Sequence, residues 1–69
     1  MKRGDVIKKL KTEAKRRGRE FEEFELTNHT GFRVGNTRST LGRHSEIDNV
    51  TAGKFFDQFA NEFGKGWWR

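Results

Sequence analysis

Cysteine is missing altogether, so neither a disulfide framework nor a thiolate metal site can staple the chain, and nothing marks an oxidising compartment. Long apolar runs are missing too. No stretch approaches the roughly 18 apolar residues of a membrane span, and the opening Met-Lys-Arg-Gly-Asp lacks the apolar run of a secretory signal; a soluble, cytoplasmic protein is the expectation. Linkers, internal repeats and low-complexity segments are also lacking, and 69 residues hold one domain. Hydrophobic residues make up only 30% of the chain and the mean hydropathy is -1.06, values that border on disorder. Seven Phe and two Trp argue the other way. They are large apolar units that disordered segments lack, and they must supply a thin core.

The net charge of +5 is unevenly spread. Residues 1 to 19 hold nine Lys or Arg against two acids, and residues 20 to 30 hold four Glu and no base. A basic end joined to an acidic segment makes a polar molecule whose basic end can meet phosphate backbones. The plainer alternative is that these cations only solvate the exposed face of a helix.

Periodicity divides the chain into five elements. Val6, Ile7, Leu10 and Ala14 recur at helical spacing behind Asp5, a good N-cap, and Gly18 can close the helix in the left-handed conformation, so a helix is expected over about 5–17. From Glu20 the period becomes two, with Glu22, Phe24 and Leu26 on one side and Phe21, Glu23 and Glu25 on the other. Strands are expected over about 20–26, 30–35 and 37–41, with a turn at Thr27-Asn28-His29 and a tight hairpin at Gly35-Asn36. Thr51 is the expected cap of a closing helix over about 51–63, in which Ala52, Phe55, Phe56, Phe59, Ala60 and Phe63 keep helical spacing. The fold class that follows is α+β, in the order α-β-β-β-α, with two helices on one face of a three-stranded antiparallel sheet. Phe24 or Phe21, Phe32, Val34, Phe55 or Phe56, Phe59 and Phe63 are the expected core. The tail from Gly64 carries Trp67 and Trp68, which can fold over that core, contact a partner, or stack on unpaired bases.

Three short motifs resemble one protein family. Arg3-Gly4-Asp5-Val6-Ile7-Lys8-Lys9-Leu10 is similar to the first helix of the HicA toxins of bacterial toxin-antitoxin pairs. Asn28-His29-Thr30, followed by Phe32-Arg33-Val34, resembles their Gly-Ser/Asn-His signature at the start of the second strand, and Gly42-Arg43-His44-Ser45-Glu46-Ile47 resembles a Pro-Arg-His-x-Glu-Ile run after the third. The likeness spans nearly the whole chain in order and spacing. Thr27 stands where the family commonly has Gly, and Gly42 where it usually has Pro. The resemblance implies a double-stranded-RNA-binding-like fold, ribosome-independent cleavage of mRNA with His29 as the active histidine, and a HicB-like antitoxin as partner.

The chemistry of RNA cleavage asks for these residue types. Removing the 2′-hydroxyl proton lets that oxygen attack the adjacent phosphorus, which needs a base that titrates near working pH and cations for the phosphate. His29 is the candidate base, with Arg33 four residues on and therefore on the same side of its strand. His44 is a candidate second proton carrier or phosphate contact, and Arg38 and Arg43 are candidate phosphate contacts, of which at most one belongs in the site because they face opposite sides of a regular strand. Lys8, Lys9, Lys11 and Lys15 are the candidate RNA-binding cations. Two histidines fifteen residues apart, without cysteine, offer no metal-ligand spacing, so neither a metal nor another cofactor is expected. Two other readings stay open: a non-catalytic nucleic-acid-binding module of the same fold, with His29 an ordinary turn histidine, and a protein-interaction factor using the open sheet face and the Trp tail.

Overall fold

A computed structural model describes all residues, 1–69. Helix α1 spans Arg3–Arg16, strands β1 to β3 span Phe21–Glu25, His29–Val34 and Thr37–Gly42, and helices α2 and α3 span Asn49–Asp57 and Ala60–Phe63. The strands form one antiparallel sheet in the order β1-β2-β3, so the expected α+β architecture is present. No helix is long and apolar enough to cross a membrane.

Two helix starts differ from the sequence expectation. Helix α1 begins before Asp5, because Met1 and Lys2 pair with the chain after β3: Ile47 N–H donates to Met1 O at 2.7 Å and Arg3 N–H donates to Ser45 O at 3.0 Å. Lys2 O then accepts from the amides of Asp5 and Val6. Asp5 falls in the first turn, where its charge suits the positive end of the helix dipole. Likewise α2 is capped by Asp48 and not by Thr51; the Asp48 carboxylate accepts from Thr51 N–H at 3.0 Å and from the Thr51 hydroxyl at 2.6 Å. These two bonds, the hydroxyl's first, hold the Asp48 carboxyl below the usual carboxylate range. The helix C-terminal signal was read correctly. Gly18 has φ 67°, Gly18 N–H donates to Lys15 O and Arg19 N–H to Ala14 O, which is the Schellman arrangement.

The single closing helix expected over 51–63 is two helices. At Gln58 and Phe59 the amides turn to carbonyls three residues back, Phe55 O and Phe56 O, and the axis is interrupted. Apolar spacing does not change across this break: Phe55, Phe56, Phe59 and Phe63 are all buried. Periodicity therefore could not reveal it. In the β2–β3 hairpin only Gly35 takes positive φ, 58°, as in a turn with glycine at the first central position.

The register settles the sheet faces. Phe21 pairs with Val34, Glu23 with Phe32 and Glu25 with Thr30, so these side chains share the helix-covered face. Phe21 lies 6.1 Å from Phe32 and belongs to the core's margin. Phe24 pairs with Gly31 on the opposite, open face, where its ring occupies the space a Cβ at Gly31 would need. Phe32 lies at the middle of the core, edge-on to Phe55 at 5.6 Å. The Trp tail folds back over this core, with Trp67 at 4.8 Å from Phe63 and 5.2 Å from Phe56.

Two expectations follow. Phe32→Ala removes a fully buried ring and should destabilise the domain by about 3–5 kcal/mol, enough to leave much of it unfolded in a denaturant titration. Glu13, held by side-chain bonds from Arg16 and then Arg17, has its pKa lowered from 4.5 to about 2. A carboxyl depressed in the folded state stabilises above its ordinary value and loses that contribution as pH falls toward about 2. The effect near the surface is about 1 kcal/mol or less, and Glu13→Gln should flatten the stability-versus-pH curve in that window.

Candidate nucleic-acid interface and active site

His29 opens β2 directly after the β1–β2 turn, where Leu26 N–H donates to His29 O at 2.9 Å. Its side chain alternates with that of buried Thr30, which places it on the open face of the sheet. The register sets it across from Gly42, the last residue of β3. The ring of His44 lies next to Gly42, with Cδ2 at 3.5 Å, an ordinary contact distance, from where a Cβ would stand. The two histidines, fifteen residues apart in the chain, are thus brought to one corner of the open face. Both are exposed.

A hydrogen-bond network anchored on buried Thr30 fixes this corner. Arg3 at the start of α1 donates from Nη2 to Thr30 Oγ1 at 2.6 Å and from Nε to Gly42 O at 3.0 Å. The Thr30 hydroxyl donates to Glu25 Oε1 at 3.3 Å, and Glu25 Oε2 accepts from Arg43 Nη2 at 2.6 Å. Arg43 also donates to the carbonyls of Leu26 and His29 from Nη2 and to Thr27 O from Nη1. One guanidinium therefore closes the whole turn that presents His29, and its Nε and a second Nη1 hydrogen remain for another acceptor. The network runs through Arg3, Thr30, Glu25 and Arg43 and leaves both imidazoles free.

Other sequence candidates lie elsewhere. Arg33 shares the face of His29 but stands four residues along the strand, about 13 Å away at roughly 3.3 Å per residue. There it pairs with Glu22 at 3.3 Å and Glu20 at 3.6 Å and donates to Gly35 O at 2.6 Å. Arg38 is its cross-strand neighbour, so both arginines sit at the far end of the sheet from His29. Of Arg38 and Arg43, Arg43 is the one at the histidines. Lys8, Lys11 and Lys15 are exposed and recur at three- and four-residue spacing on the outer side of α1, whose inner side buries Val6, Leu10 and Ala14. That stripe therefore faces away from the sheet, and Lys9 lies on a neighbouring flank. The molecule's ion pairs use none of the four lysines.

Sequence reasoning gave Arg3, Thr30 and Glu25 no role at the site. Arg3 and Thr30 are 27 residues apart, and no local pattern couples them. No three His, Cys, Asp or Glu side chains converge on one point. Compared with protein-family models, curated proteins and solved structures, the chain matches none. Its functional reading rests on the residues themselves.

The clamp has a measurable consequence. Arg43→Gln removes a charge-assisted bond and up to three carbonyl contacts from an exposed corner, and should cost about 1–2 kcal/mol while leaving the core intact. Amide exchange at Leu26, whose N–H closes the turn, should quicken well beyond that of β2 amides. Unchanged Leu26 protection would show that the turn holds itself.

Proposed function

We propose that this protein is an endoribonuclease of the HicA kind, a toxin that cleaves mRNA without a metal ion, with His29 as its general acid/base. One observation carries the reading: the register sets His29, on a turn held by an arginine, across from Gly42, and a second free imidazole, His44, packs at contact distance of that same Gly42. Cleavage of RNA by its own 2′-hydroxyl needs a proton taken and a proton given. His29 takes the proton of the 2′-hydroxyl; the oxygen then bonds to phosphorus as the bond from phosphorus to the 5′-oxygen breaks, and His44 gives that leaving oxygen its proton. The products are a 2′,3′-cyclic phosphate and a 5′-hydroxyl. The unused donors of Arg43, whose Nη2 is bonded to His29 O, can meet the charge that builds on the phosphate. Arg33 and Arg38, at the far end of the same face, can meet only flanking phosphates. The partner expected is a HicB-like antitoxin and the site of action the cytoplasm, with growth arrest as the cellular effect and a stress response as the setting.

A second reading has its own support. The lysine stripe of α1 lies on the helical layer, on the opposite side from the face of His29, which suits a non-catalytic module that grips RNA by charge alone.

Purified protein on a single-stranded RNA, and on the same strand with 2′-deoxyribose, separates the two. Cleavage should occur only with ribose, persist in EDTA, and end in a cyclic phosphate. His29→Ala and His44→Ala should each slow it by about a hundredfold to ten-thousandfold, with RNA affinity retained because phosphate contacts supply most of it. Binding without cleavage by the parent protein would establish the second reading.

A further inference from the structure

The nuclease reading makes no use of the groove between α1 and the C-terminal tail. Trp67 is committed to the core, its Nε1 donating to Phe56 O at 2.9 Å. Trp68 is held differently. Its Nε1 donates to Asp57 Oδ1 at 2.8 Å, its ring lies tilted at 5.7 Å from Phe56, and its six-membered ring sits over Gly53, where a Cβ would come within 3.1 Å of Cη2. The remaining contact is the exposed guanidinium of Arg69, 5.1 Å over the indole. That ring is therefore immobilised by three contacts, and a solvent-exposed cation is what stands on it.

Across from Trp68 and Arg69, Lys8, Lys9 and Thr12 of α1 complete a groove of about 410 Å³, within the size range of small-ligand sites. Asp5 and Glu13 also reach it, but Glu13 is bonded to Arg16 and Arg17. Three cations thus face one free carboxylate and a fixed aromatic plane. An apolar ligand would strand the lysines, and an acidic peptide would leave the indole unused. A nucleotide engages both. A base-paired strand cannot, since its bases are already stacked.

We propose that this groove is a single-stranded RNA subsite that holds one unpaired nucleotide, its base stacked on Trp68 in place of Arg69 and its phosphate between Lys8 and Lys9. Lys11 and Lys15 continue the cationic track along α1 for neighbouring phosphates. The subsite lies on the helical layer, away from the histidine corner, and does not depend on cleavage there.

Tryptophan emission reads the subsite directly, because the chain has two Trp and no Tyr. With the His29→Ala protein, so that no RNA is cut, a five-residue oligoadenylate should quench the emission and bind. An abasic strand of equal charge should bind about tenfold more weakly without quenching. Trp68→Phe, which keeps an apolar ring on Gly53 and Phe56, should lose the quenching and weaken oligoadenylate binding several-fold. Lys8→Gln combined with Lys9→Gln alters only exposed side chains; it should weaken binding about tenfold and reduce the slope of log affinity against log salt by about 0.7, since the two lysines hold one phosphate and each phosphate contact on a single strand contributes about 0.7. Equal affinity for the abasic strand, or unchanged affinity and slope in the double lysine variant, would overturn the proposal. So would equal binding and quenching by an oligoglutamate peptide, which would make the groove a site for acidic protein. The quenching is read on the His29→Ala protein, so an inactive histidine pair leaves it unaffected and failure of the nuclease reading is told apart from failure of the subsite.

Discussion

Phe32 sits on the middle strand with rings on either side of it, Phe21 at 6.1 Å and Phe55 at 5.6 Å, and the elements of the fold are held through that contact chain. Phe55 continues it to Phe59 at 5.3 Å, and Phe63 and Phe56 pass it to Trp67. A short chain without cysteine has no covalent staple to fall back on. Aromatic rings bury the most area per residue and prefer the edge-on and tilted geometries seen here, so a few of them hold two layers together where the overall composition is polar. The rest of the architecture follows from where this cluster is: the helices lie on the one sheet face that carries Phe32, and the other face is left open.

That asymmetry decides where chemistry can occur. The open face presents His29, Arg33 and Arg38 with Phe24 resting on Gly31, and its acidic residues pair with Arg33 at one end and with neither histidine at the other. At the histidine end the polar groups divide into two sets. Thr30, 1% exposed, and the side chains bonded around it satisfy one another and fix the backbone. The imidazoles stay outside that network. A rigid, self-satisfied support beneath free proton carriers is what acid-base chemistry requires, and Arg43 supplies it for the very turn that carries His29.

The charge map carries a second consequence. The cations of α1 and the histidine corner lie on different layers of a molecule only 16 Å through its shortest axis, so an RNA chain touching both must pass around an edge. The groove that joins Lys8 and Lys9 to the fixed indole of Trp68 and the corner with the free imidazoles are separate surfaces, and each can fail without the other.

Element order, the aromatic core and the turn glycines were legible from residue order alone, because hydrophobic period and turn chemistry are local properties. Gly18 and Gly35 take the positive φ that their positions implied. The start of α1 was misplaced because Met1 and Lys2 pair with residues near 46, and no short window reveals that. His29 stood out through its motif, whereas its neighbours did not, since only strand register puts Gly42 opposite it and only the chain after β3 brings His44 against Gly42. The same register moved Arg33 from a supposed neighbour of His29 to the far end of its strand. The sequence by itself determined which segments become helix and strand and which side of each is apolar, because those preferences act within a few residues. Tertiary structure alone decided which polar side chains meet, because Arg3, Thr30, Glu25 and Arg43 are joined across as many as 27 residues by the packing of elements whose mutual placement no local preference encodes.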